Sequence, residues 1–160
     1  MINIFIICVG KNKEKFYNDA FQEYTKRLSS VCAIHLTEVP EYRLPDRPGE
    51  KEIEKALSIE ADKIRKYVEK GSMLIALCIE GKQYSSNDFA EFLNTSMQNG
   101  NSSFTFVIGG SYGLSETIKN LSDLKLSMSS MTFPHHLARI MLAEQVYRAF
   151  QILQGSRYHK

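Results

Sequence analysis

The chain has 160 residues, 43% of them hydrophobic and 24% charged, and its formal net charge is +2. That length suits one domain with a core of its own, taken here as residues 1–160, and the composition excludes wholesale disorder. So small a charge balance does not announce a nucleic-acid binder, and its distribution along the chain matters more.

Ile2 to Val9 is nearly all apolar and β-branched and stops at Gly10, the pattern of a strand buried on both faces. Tyr17, Ala20, Phe21, Tyr24 and Leu28 follow at helical spacing. Ile34–Val39 reads as a second strand. Residues 40–49 hold three of the four prolines and read as a mobile loop rather than a domain boundary. Ile53, Leu57, Ala61, Ile64 and Val68 mark a longer helix, and Met73–Ile79 a third buried strand. Ser85 and Asp88 form a weak capping box before a helix carrying Phe89, Phe92, Leu93 and Met97. Phe104–Ile108 is the fourth strand. Strands alternating with helices predict an α/β fold with a mainly parallel sheet.

The last third differs. Gly109-Gly110-Ser111-Tyr112-Gly113 precedes a short helix capped by Ser115, then a short element near Leu124–Met128. A helix is predicted from Pro134 to about Gln154, with Gly155 as its stop. It is apolar around much of its circumference, so it must be buried on more than one side, against its own sheet and against a second subunit.

Cys8, Cys32 and Cys78 form no Cys-x-x-Cys pair, and Cys8 and Cys78 sit in apolar runs; they read as reduced thiols. The apolar runs are too short to span a bilayer, and Met1 leads directly into a strand pattern without a signal peptide. The chain is therefore expected to be cytoplasmic.

Several common uses of an α/β sheet are missing. The first strand is followed by Gly10-Lys11-Asn12-Lys13, not by a dinucleotide fingerprint, and there is neither a P-loop nor a nucleophile elbow. What remains is the run 109–113 at the carboxyl end of the fourth strand, where open parallel sheets bind ligands. Glycines there permit close approach to the backbone, although a turn needing only chain reversal would look the same. Of the four histidines, His35 packs in a strand or faces water. His135 and His136 diverge by about 100° on a helix, so no shared metal site is expected. His159 lies in the terminal Tyr158-His159-Lys160. Residues 126–160 contain Arg139, Arg148, Arg157 and Lys160 against one acid, Glu144, which suits an anionic partner. Arg148 is expected to pair with Glu144 one turn away and to serve the helix rather than the chemistry.

Phe-Val-Ile-Gly-Gly-Ser-Tyr-Gly (106–113), Ser-Met-Thr-Phe-Pro-His (130–135), Glu-Gln-Val-Tyr-Arg-Ala (144–149) and the tail Tyr-His-Lys (158–160), in that order, resemble the SPOUT methyltransferases that modify a pseudouridine in large-subunit ribosomal RNA. Val-Gly-Lys (9–11) also fits, and the resemblance covers essentially the whole chain without an inserted RNA-binding domain. It implies a C-terminal trefoil knot holding S-adenosylmethionine, with Leu77, Gly109, Met128, Ser129, Ser130, Met131, Thr132 and Phe133 around the cofactor. It also implies a homodimer in which the tail of one subunit, with Arg157, Tyr158 and His159, approaches the cofactor of the other. The implied reaction is methyl transfer to N3 of pseudouridine, with His159 as candidate base and no metal. The residues alone leave open a non-catalytic ribosome- or RNA-binding module of the same fold, and a nucleotide-binding α/β protein of another kind.

Overall fold

The computed structural model describes residues 1–160. Five strands form one parallel sheet: β1 (Ile2–Val9), β2 (Cys32–Val39), β3 (Met73–Gln83), β4 (Ser103–Ile108) and β5 (Leu124–Ser127). Their order across the sheet is β2-β1-β4-β3-β5. The helices are α1 (Lys15–Leu28), α2 (Glu50–Tyr67), α3 (Ser86–Gln98), α4 (Glu116–Leu121) and α5 (His135–Leu153).

Alternation along the strands divides the core in two. Ile4, Ile6 and Cys8 of β1 point with Phe104 and Phe106 of β4 toward α1, α3 and α5, where Phe21, Leu93, Leu142 and Val146 close the layer. Ile7, Val9 and Val107 point the opposite way, toward Ala61 and Ile64 of α2 and Ile118 of α4. A sheet covered on both faces needs apolar residues at every position, which is why β1 and β4 read as unbroken runs.

The strand limits follow the sequence closely, with two differences. β2 begins at Cys32, earlier than its apolar run, because Cys32 pairs in register with Ile2. β3 continues beyond Ile79 through a bulge: Leu77 and Lys82 both face Leu126 of β5, and residues 78–81 bow out between them. Gly81 allows this, since a Cβ there would lie 2.7 Å from the Lys125 carbonyl carbon.

The helix ends carry the predicted chemistry. The Ser85 hydroxyl accepts from Asp88 N at 3.0 Å, and the Ser115 hydroxyl from Ile118 N at 3.2 Å. α5 stops in a Schellman turn: Gly155 N donates to Ile152 O, Ser156 N donates to Gln151 O, and Gly155 has φ +67°. α5 packs on the sheet between α1 and α3. Leu142, Ala143, Val146 and Phe150 are buried, whereas Ile140 and Met141 line an open groove of about 440 Å³ with Tyr24, Tyr84 and Glu144.

Arg139 fixes where α5 begins. Its side chain is 1% exposed at the carboxyl ends of β1 and β2. Nη1 donates to Glu38 Oε2 at 3.0 Å and Nη2 to the Gly10 carbonyl at 3.3 Å, while Nε has no partner. The same Glu38 oxygen accepts from Asn12 N at 2.7 Å. Removing one member of a buried charge pair costs about 3 kcal/mol, because the other is left uncompensated. Arg139→Ala should therefore lose about 3 kcal/mol in urea unfolding. Arg139→Lys should fall between it and wild type, since a single ammonium cannot reach both acceptors. An Arg139→Ala protein as stable as wild type would show that the pair does not hold α5 in place.

Candidate active site

The carboxyl ends of β3 and β4, the segment after β5 and the start of α5 enclose a cavity of about 410 Å³. Of the eight residues expected around a cofactor, Leu77, Gly109, Met128, Ser129, Met131, Thr132 and Phe133 line it. Ser130 does not. The walls are apolar at Leu77, Ile108, Met128 and Phe133, and polar at Ser111, Lys119, Glu80 and Thr132. The Ser129 hydroxyl accepts from Met131 N at 3.0 Å, and the Ser127 hydroxyl donates to the Ser129 carbonyl at 3.1 Å. These bonds tie residues 127–131 together from within.

Gly109 plays a different part from the one its glycine suggested. A Cβ there would collide with the Gly113 carbonyl oxygen and lie 2.5 Å from the carbonyl carbon. The missing side chain makes room for the chain's own turn, which Gly113 N closes on the Gly110 carbonyl at 3.1 Å. Gly113 itself has φ +77°. At this position the glycine answers to chain reversal, and the ligand-facing surface beside it is backbone.

Several lining residues carried no local signal. The bulge of β3 delivers Cys78, Ile79 and Glu80 to the rim. Lys119 of α4 pairs with Glu80, and this ammonium holds the Glu80 carboxyl below the usual carboxylate range. His135 lines the cavity from the first turn of α5. Its Nδ1 lies 3.4 Å from Arg139 Nη2, and its ring rests on Gly10, where a Cβ would lie 2.8 Å from Nε2. A guanidinium can only donate, so Nδ1 is the acceptor and the proton sits on Nε2. Burial, then the neighbouring His136 and Arg139, lower the His135 pKa and keep it neutral near pH 7.

The 40–49 loop is tied down at two points. Glu41 Oε1 accepts from Ser111 N at 2.9 Å, clamping the glycine turn from outside. The next residue, Tyr42, donates its N–H to the buried Glu60 carboxylate at 2.7 Å. The expected mobile loop is thus a brace for residues 109–113.

Arg157, Tyr158 and His159 do not reach the cavity in their own chain. The tail folds back on α5 instead. Tyr158 OH donates to Glu144 Oε1 at 3.1 Å, and its ring packs edge-on against Tyr147 with centroids 4.9 Å apart. Burial and the Glu144 carboxylate raise the Tyr158 pKa, so the phenol remains a donor. Arg148 pairs with Glu144 as the spacing predicts, at 2.6 Å, and it also contacts His159 Nδ1 at 3.2 Å. Arg148 therefore serves the tail as well as the helix. His35 stacks on Phe5 at 4.7 Å, away from this region. No group of three or more His, Cys, Asp or Glu side chains has a metal-binding arrangement. The three cysteines are free, and no helix is long and apolar enough to cross a membrane.

A parallel sheet with a cavity at its carboxyl edge, walled by a glycine turn and the segment leading into the last helix, defines a ligand-binding α/β protein. The family model described as a predicted SPOUT methyltransferase matches residues 2–159. The chain belongs to the SPOUT methyltransferase family. It is 47% identical over 159 residues to the ribosomal RNA large subunit methyltransferase H of Clostridium botulinum strain Kyoto, covering 99% of this chain and 100% of the relative. It is 45% identical over 159 residues, with the same coverage, to the protein of that name from Streptococcus equi subsp. zooepidemicus. Among solved structures, a methyltransferase from Bordetella pertussis Tohama I superposes with a TM-score of 0.56 at 14% identity, covering 92% of this chain and 93% of that one. That likeness concerns the fold.

The Glu41 clamp makes a prediction that needs no ligand. A hydrogen bond to a charged acceptor contributes about 1.5 kcal/mol or more, roughly tenfold in an opening equilibrium. Glu41→Ala should speed hydrogen exchange at the Ser111 amide about tenfold and leave the β1 and β4 amides unchanged. Unchanged exchange at Ser111 would show that the loop does not brace the turn.

Proposed function

We propose that this protein methylates N3 of a pseudouridine in large-subunit ribosomal RNA, using S-adenosylmethionine, on an assembled ribosomal particle. The observation that carries the reading is the gathering of Leu77, Gly109 and five residues of 128–133 around one cavity. The names of the full-length relatives support the RNA substrate. The cavity fits the cofactor by size and by donor set. Leu77, Ile108 and Phe133 offer apolar walls to adenine, the 109–113 backbone lies alongside, and Glu80, Ser129 and Thr132 offer partners to hydroxyl and amino groups. Bound there, S-adenosylmethionine supplies an electrophilic methyl group.

The chain's own contribution is alignment, the larger part of catalysis when the electrophile is already activated. The 127–131 segment, held by its serine bonds, and the braced glycine turn fix the walls. Loss of the N3 proton needs an acceptor, and imidazole is the usual one near neutrality. His159 is assigned that role, with Tyr158 and Arg157 orienting the base or holding phosphate. Since the tail lies on α5 rather than at its own cavity, it is assigned to the cavity of a second copy. The open groove beside α5, lined by the half-buried Ile140 and Met141, supports a homodimer. We read the passage from β5 at the sheet edge, through 128–134, to α5 at the Gly10 corner as the threading of a trefoil knot.

Two measurements test this. Deleting Tyr158–Lys160 should abolish methyl transfer and spare the fold, because a terminal tripeptide contributes little core. Mixed with Gly109→Val subunits, whose turn is broken, the deleted chain should regain part of its activity. A mixture as inactive as its components would count against a tail acting in trans. The second compares ribosomes, isolated subunits and deproteinised RNA at equal salt. With a net charge of +2 and one modest basic cluster, the protein should bind naked RNA weakly and methylate assembled particles faster. Equal rates on deproteinised RNA would overturn the particle requirement.

A further inference from the structure

A run of aromatic rings leads from the cavity to the surface. His135, in the cavity wall, meets His136 edge-on with centroids 4.6 Å apart. His136 lies 4.4 Å from Tyr17, and Tyr17 lies 4.3 Å from Phe16. Phe16 ends the run in the first turn of α1 and is 63% exposed. It belongs to neither half of the core. It is the one exposed phenylalanine of the chain, and its partner in the run is Tyr17.

The flank of this run carries Lys11, Lys13 and Lys15 against Glu14 and Asp19. Lys11 and Lys13 in the β1–α1 corner are exposed and make no ion pair. Lys15 is excluded, since Asp19 holds it at 2.5 Å. The corner cannot drift from the cavity: Glu38 holds Asn12 N, Arg139 holds the Gly10 carbonyl, and Asn12 Nδ2 donates to Asn18 Oδ1 at 2.7 Å. An exposed ring, Phe16, backed by the half-buried Tyr17 and set beside unpaired lysines, offers what unpaired nucleotides require, a face for a base and cations for phosphates. The proposed target edge demands the same form of RNA. N3 of a pyrimidine lies on its pairing edge, so a base methylated there must be unpaired when it reacts, and its neighbours are accessible to stacking.

We infer that the Gly10–Tyr17 corner, continued by His136, is a docking surface for single-stranded RNA that guides the nucleotides flanking the target into the cavity. Phe16, backed by Tyr17, stacks a base, and Lys11 and Lys13 hold phosphates. This rests on the RNA-methylating function proposed above.

The test uses the full chain and a fluorescein-labelled oligouridylate of about ten nucleotides, a length in the range of single-strand site sizes. Phe16→Ala should weaken binding about tenfold, the effect of losing one stacked base. Phe16→Trp should restore it, with indole emission quenched on binding. Lys11→Gln and Lys13→Gln should each lower the salt dependence of binding by about 0.7 in log–log slope. Circular dichroism checks folding, and sedimentation checks assembly. The titrations run at low salt, where weak phosphate-driven binding is measurable; failure of the wild-type protein to bind the oligonucleotide there, or equal binding by Phe16→Ala, overturns the inference. So does a Phe16→Ala protein that changes oligomeric state, since Phe16 would then belong to a subunit interface. Methyl transfer to ribosomal particles by the wild-type protein, measured alongside, separates the two levels. Its absence overturns the functional reading, while its presence with unaltered oligonucleotide binding in Phe16→Ala overturns only the docking surface.

Discussion

One buried guanidinium organises the functional end of this molecule. Arg139 reaches from the first turns of α5 to Glu38 at the end of β2 and to the Gly10 carbonyl at the end of β1. Hydrophobic packing holds α5 along the sheet but does not set its position to within the fraction of an ångström that a site wall requires. A charged, directional contact at the helix start does. His135, one turn before Arg139, is thereby pressed onto Gly10 and into the cavity wall, and Asn12 is anchored through the shared carboxylate. One pair thus positions the cavity wall, the β1–α1 corner and the entry to the last helix.

The other determinant is the bulge in β3. Both Leu77 and Lys82 face Leu126, so the chain between them is free of the ladder and bends toward the site. A regular strand would carry Cys78 and Glu80 in the ladder. The bulge instead brings Glu80 to Lys119 at the cavity rim, and Gly81 lets the backbone of β5 pass beneath it.

The elements of the fold were legible because each depends on a local period. Ile2–Val9 and Phe104–Ile108 show unbroken apolar runs, and Tyr17, Phe21, Tyr24 and Leu28 show the helical spacing. Cys32 was missed as the start of β2 because its place depends on pairing with Ile2, thirty residues away. The lining residues Leu77, Met128, Ser129, Met131, Thr132 and Phe133 are legible through a family resemblance, not through periodicity. Glu41 and Lys119 were not legible at all. Each acts on a partner distant in sequence, Ser111 and Glu80, and no spacing rule links such pairs. The reading of Gly109 shows a further limit. Sequence indicates that a side chain is excluded, but not which neighbour excludes it, and here the neighbour is Gly113. The apolar circumference of α5 is met in part within the chain, by the sheet, α1 and α3.

The Schellman turn at Gly155 sets a length scale for the C-terminus. Helix ends without such a turn fray, and the root of a tail beyond them shifts accordingly. Here the root is fixed, and His159 lies four residues beyond it. A fully extended segment of that length spans about 14 Å. In the proposed arrangement, the atom served by the His159 imidazole lies within roughly that radius of the end of α5, plus the reach of the side chain. The helix acts as a rigid boom and the tail as a short tether. Lengthening α5 by one residue would swing the tether's origin by about 100° around the helix axis. The tail can tolerate changes of composition at Ser156 far better than changes of length in the helix that carries it.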